Sequence, residues 1–167
     1  MQFNIVVLGD AHVGKSAYIK RLFTGLFSFS HVENNISTTP VTYSINNKTV
    51  TFNLIEIPTS LLETKDAKVL MRKSKGVFLM FDLTNKTSFD NLAIYTKFVK
   101  NNNSNNNIPI LILGNKTDIP DNRISPAKIK SWMTTQLSTF EYVAVSARTA
   151  YHLQVPFSSF IKKFIKY

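Results

Sequence analysis

Cysteine is absent from the 167 residues. That excludes disulfides, thiolate metal sites, cysteine nucleophiles and prenyl or palmitoyl attachment, so no lipid anchor is expected on these residues. No apolar run approaches the ~20 residues needed to cross a bilayer. The opening Met1-Gln2-Phe3-Asn4 lacks the basic flank of a signal peptide, and glutamine at position 2 rules out N-myristoylation. A soluble, monomeric intracellular protein of the cytoplasm or nucleus is expected. Acid is scarce, with 10 Asp and Glu against 20 Lys and Arg, a formal net charge of +10. A nucleic-acid partner must therefore be weighed. The cluster Lys65, Lys68, Arg72, Lys73 and Lys75 has no interleaved aromatics, and Lys162, Lys163 and Lys166 are spaced along a terminal helical pattern. Both read as solvated helix faces, and no specific nucleic-acid partner is expected.

An apolar share of 44% and a charged share of 18% suit one ordinary globular domain spanning 1–167. Phe3–Leu8 is a nearly continuous run of β-formers, as in a strand buried on both faces. A glycine-bearing turn and a helix over Lys15–Thr24 follow. Residues 26–40 read as loop. Val41–Ile45 and Val50–Ile57 flank Asn46-Asn47-Lys48-Thr49 as a hairpin. Residues 59–74 carry no clear pattern. Further strands are expected at Val77–Phe81, Ile108–Leu113 and Phe140–Val145, and helices at Ser88–Lys100, from Ser125-Pro126, and over His152–Ile165. The asparagine-rich stretch Asn101–Asn107 reads as a surface loop without chemistry. Strands alternating with helices after one hairpin predict a mainly parallel α/β sheet with helices on both faces.

Gly9-Asp10-Ala11-His12-Val13-Gly14-Lys15-Ser16 matches the G-x-x-x-x-G-K-[ST] phosphate loop, after an apolar strand and before a helix. Glycines let the chain curl so that successive backbone N–H groups face one anion, and the following helix adds its positive end. The phosphate-contacting stretch is Ala11, His12, Val13, Gly14, Lys15, Ser16 and Ala17. In it Lys15 would reach the β- and γ-phosphates and the Ser16 hydroxyl would coordinate Mg²⁺. Asn115-Lys116-Thr117-Asp118 follows the Ile108–Gly114 strand, so it can face the same pocket outside the carboxyl ends of a doubly wound sheet. The Asp118 carboxylate can accept from the ring N–H and the exocyclic amine of guanine, a pair that adenine does not offer. Asn115 would tie loops together, and Lys116 would lie over the base. Ser146-Ala147-Arg148, after the last strand, would supply a third wall whose N–H groups meet the guanine carbonyl.

With these motifs the chain resembles the small GTPases of the Ras superfamily over essentially its whole length. Within them it is most similar to the Ran type, with the Rab type next. The closer likeness rests on Lys20-Arg21-Leu22-Phe23-Thr24-Gly25, Met80-Phe81-Asp82-Leu83-Thr84, Thr84–Phe89, Asn107-Ile108-Pro109-Ile110, and Tyr151 with Pro156-Phe157. The resemblance implies a P-loop NTPase fold with a six-stranded, mostly parallel sheet. It also implies GTP or GDP and Mg²⁺ as ligands, protein partners of the Ran or Rab type, and two switch loops that sense the third phosphate. By the same likeness Thr38, or its neighbour Thr39, is the switch threonine that joins Mg²⁺ in the GTP state.

One stretch departs from the family pattern. Where Asp-Thr-Ala-Gly-Gln-Glu is expected after the strand ending at Ile57, the chain has Pro58-Thr59-Ser60-Leu61-Leu62-Glu63. In that register Pro58 replaces the Mg²⁺-holding aspartate, Leu61 the glycine at the γ-phosphate, and Leu62 the water-orienting glutamine. No glycine lies between Gly25 and Gly76, so no shift of register restores Asp-x-x-Gly. No catalytic residue is therefore assigned, and hydrolysis is expected to be weak or absent, with Glu56 and Glu63 as nearby carboxylates that could substitute. Ala11 and His12 stand where Ran has two glycines, and His12 is expected to point outward. His31 and His152 lack metal-ligand spacing, and Trp132 reads as helix-face packing with Ile129 and Met133.

Overall fold

The computed structural model describes residues 1–29, 34–45, 47–105, 107–121, 123–136 and 140–164. His31, Asn46, Asn106, Ile165 and Lys166 of the sequence reading lie outside them. Six strands form one sheet in the order β2-β3-β1-β4-β5-β6. They are β1 (Gln2–Leu8), β2 (Ser37–Ile45), β3 (Lys48–Glu56), β4 (Gly76–Asp82), β5 (Ile110–Asn115) and β6 (Phe140–Ala144). Only β2 and β3 run antiparallel; every other neighbouring pair is parallel. The two central runs, Ile5–Leu8 and Gly76–Asp82, are buried throughout because helices cover both faces.

Helices α1 (Lys15–Thr24) and α6 (Val155–Phe164) pack one face, where Tyr18, Phe157 and Phe160 meet Ile5, Val7, Phe52 and Phe78. Helices α2 (Lys65–Lys73), α3 (Lys86–Asp90), α4 (Leu92–Asn102) and α5 (Pro126–Thr134) pack the other, around Leu79, Phe81, Phe89 and Tyr95. The predicted α/β architecture is therefore the one observed. Trp132 lies edge-on to Phe89 and tilted against Phe140, the packing role expected of it.

Three local expectations change. Strand β2 begins at Ser37, not Val41, because an edge strand needs no apolar alternation and tolerates Pro40. The unpatterned 59–74 stretch forms a 3-10 turn, Thr59–Leu61, and then α2. The Thr64 hydroxyl accepts from the Ala67 N–H at the start of α2, and Arg72 and Lys73 sit at its negative end. The single helix expected over Ser88–Lys100 is two, broken at Asn91. In the asparagine-rich loop, Asn103 is buried and its side-chain amide donates to the Met71 and Ser74 carbonyls, closing the end of α2.

Candidate functional site

A pocket of about 320 Å³ opens beyond the carboxyl ends of β1, β5 and β6. Its wall combines His12, Gly14 and Ala17 of the phosphate loop with Asn115, Lys116 and Asp118, and with Ala147 and Arg148. The three predicted motifs, far apart in sequence, therefore meet in one place.

Asn115 joins them. Its amide donates to the Val13 carbonyl at 2.8 Å, and its Oδ1 accepts from the Ala147 N–H at 3.1 Å. Gly14 has φ 99° and touches this clamp closely: a Cβ there would lie 2.3 Å from Asn115 Nδ2. Only glycine satisfies both the backbone angle and the contact. Asp118 accepts from the Ser146 hydroxyl at 2.6 Å and faces Arg148 at 3.8 Å. Lys116 adopts φ 68° and pairs with Asp82 at 2.7 Å, at the end of β4. Asp82 is itself oriented by the Thr84 N–H and hydroxyl.

The phosphate loop is shaped for an anion. Helix α1 starts without a side-chain cap and without acid in its first turn, so its leading N–H groups are left to another acceptor. Lys15 is buried, and its ammonium donates to the Gly9 and Asp10 carbonyls at 2.8 and 2.9 Å. Burial pushes its pKa below the ordinary lysine value, opposed by Glu56 and then Asp10. His12 is exposed at the rim with φ 65°, a left-handed conformation that histidine accepts. Ala11 is exposed beside it. His152 bonds the Ala144 carbonyl and stacks on Tyr151.

Glu56 corrects the register read from sequence. Its Oε1 accepts from the Ser16 hydroxyl at 2.9 Å and lies 3.9 Å from Lys15 Nζ. The carboxylate beside the predicted Mg²⁺ serine is thus Glu56, not a residue at the Pro58 position. The cause is strand register: Glu56 pairs with Val7, so the pleat turns both side chains toward α1. Counted from Glu56, the glycine and glutamine of Asp-x-x-Gly-Gln fall on Thr59 and Ser60. Leu62 does not face the pocket but is buried in the opposite-face core, and the Leu61 N–H is committed to the Pro58 carbonyl.

Thr38 and Thr39, the two candidate switch threonines, both lie in β2, on opposite faces. Thr38 pairs with Ile55, whose side chain belongs to the α2–α5 face, whereas Ser16 and Glu56 lie on the α1 face. Ser37 opposes Glu56 directly and Thr39 opposes Leu54, so those two share the α1 face. The serine–carboxylate pair fits a hard cation that takes few protein oxygens and completes its shell from phosphates and water. Among the described residues no group of three or more His, Cys, Asp or Glu could hold a metal alone.

Sequence reading missed several contributors. Phe27 and Phe29, edge-to-face at 5.5 Å, and Ile119 line the pocket. Two aromatics in a short polar segment after α1 were the available signal. Asp10 accepts from the Tyr95 hydroxyl at 2.5 Å and from Asn91 Nδ2 at 2.7 Å, and Tyr95 also bonds the Thr59 hydroxyl at 2.9 Å. Burial, and next the Asp10 bond, raise the Tyr95 pKa far above the usual phenol value.

The sheet order, the uncapped glycine loop ahead of α1 and the convergent pocket define an α/β protein of the P-loop NTPase type. The Ras family model matches residues 4–166, and the chain belongs to the Ras family. Members of that family bind guanine nucleotides and Mg²⁺. No helix of the described residues is long and apolar enough to cross a membrane.

Proposed function

We propose that this Ras-family chain binds GTP and GDP tightly, hydrolyses GTP weakly or not at all, and changes little between the two states. The carrying observation is a contrast within one site. The phosphate and base walls are joined by Asn115, whereas the 57–64 segment after Glu56 contains neither glycine nor glutamine.

In this reading the Gly14–Ala17 N–H groups and Lys15 hold the phosphates, and Asp118 reads guanine while Ser146, Ala147 and Arg148 close its carbonyl side. Lys116 would lie over the base, and Phe27 lines the same pocket. Ser16 and Glu56 would hold Mg²⁺, which neutralises phosphate charge when bound. The Ser16 hydroxyl can keep donating to Glu56 while its oxygen lone pairs take the cation. Hydrolysis fails for want of a group that orients water. Ser60 is short, Leu62 is buried, and Glu63 is engaged by Lys68 at 2.7 Å in a different cavity. The Thr59–Tyr95–Asp10 hydrogen bonds fasten the segment to α4 and the phosphate loop.

Within the family the Lys20–Gly25, Met80–Thr84 and Asn107–Ile110 stretches support kinship with Ran and then Rab, and protein partners of those kinds. A non-switching scaffold that competes for such partners is the form this function would take.

Denaturing the purified protein and identifying what it releases tests the binding claim, followed by calorimetry of stripped protein. Release of GDP or GTP, and GDP affinity far above ADP affinity, are expected. Equal affinity for the two nucleosides would overturn the guanine assignment.

A further inference from the structure

A second cavity, of about 460 Å³, lies between the 3-10 turn with α2 and the outer side of α4. It shares no lining residue with the nucleotide pocket. Leu62 and Phe98, each 6% exposed, give it an apolar floor, and Ile94 stands at its edge with 52% of its surface free. Lys68 and Lys97 form its rim. The two helices around it carry six cations, Lys65, Lys68, Arg72, Lys73, Lys97 and Lys100, against one carboxylate, Asp66; α4 has no acid at all.

We propose that this groove docks an acidic protein segment that inserts one apolar anchor side chain. The volume suits one or two side chains rather than a whole domain, and the apolar floor needs an apolar group to replace water. The surrounding charge selects the sign of that segment and speeds its arrival. A phosphate backbone satisfies the cations but offers nothing to Leu62, Phe98 and Ile94. The walls are built before any partner arrives. Thr59 is bonded to Tyr95 on α4, and Asn103 beyond the end of α4 holds the last carbonyls of α2. A preformed groove lowers the ordering cost of binding. The groove and the nucleotide pocket share no lining residue, so docking is expected with either GDP or a GTP analogue bound.

Selection from a displayed library of random twelve-residue peptides on the GDP-loaded protein tests this, with anisotropy of the enriched peptides as the readout. Enriched sequences should carry several Asp or Glu around one large apolar residue. They should bind Lys97→Glu and Ile94→Asp at least about tenfold more weakly. Lys20→Glu, an equal charge change on the far face of the sheet, should bind as the parent does. All three positions are exposed, and unchanged melting temperatures establish that the variants fold. No enrichment, enriched peptides without acid, or equal binding by Ile94→Asp would overturn the proposal. Single-stranded poly(U) binding more tightly than the peptides, lost in Lys97→Glu and kept in Ile94→Asp, would assign the surface to nucleic acid instead.

Discussion

Asp118 presents one carboxylate to the pocket, with one oxygen already taken by the Ser146 hydroxyl and the other facing Arg148. Its remaining lone pairs suit two N–H donors on one edge of a base. Asp118→Ala should weaken GDP binding by about 1.5–3 kcal/mol, the worth of hydrogen bonds to a charged group, or roughly 10- to 150-fold. Calorimetry should find the weak ADP affinity unchanged; an equal loss for both would mean the carboxylate does not read the base. Glu56 acts on the cation. In Glu56→Gln the Mg²⁺ concentration needed to slow release of labelled GDP should rise, while release in excess chelator stays as in the parent. An unchanged Mg²⁺ requirement would leave Glu56 a purely structural partner of Ser16.

Elements, not single residues, decide where the sequence was readable. The phosphate loop and Asn115–Asp118 are contiguous, so local chemistry identified them, and the helix Lys15–Thr24 was legible to its ends. Glu56 was not legible in this way, because its role follows from pairing Glu56 with Val7 across two strands. The choice between Thr38 and Thr39 was not legible either: one position along β2 moves a side chain to the other face of the sheet. Tyr95 falls within the helix expected over Ser88–Lys100, and nothing in that local pattern shows that its hydroxyl links three elements. Tyr95→Phe keeps the buried ring and removes that link. It should cost the 59–62 turn about 1.5–3 kcal/mol of local stability, a roughly 10- to 150-fold loss of amide exchange protection. Unchanged exchange in that turn would show that packing of Leu62 alone fastens it.

For the molecule as a whole, the proposed function separates binding from response along the sheet. One end of β5 and β6 and the start of α1 carry an assembled pocket, and the fold around them is that of the Ras family. The stretch after β3 has been folded into a 3-10 turn with its side chains committed to the core, to Tyr95 and to Lys68. Coupling between nucleotide state and partner requires two arrangements of such a segment with different contacts. In the proposed non-switching reading this segment keeps one arrangement, so partner affinity should differ by less than about tenfold, or ~1.4 kcal/mol, between GDP and GTP-analogue states. The most direct measurement is single-turnover phosphate release from protein loaded with γ-labelled GTP and Mg²⁺. Stable loading with release well below roughly 4 × 10⁻⁴ s⁻¹, the unassisted rate of Ras, is the expected result. Release at or above that rate would contradict the account.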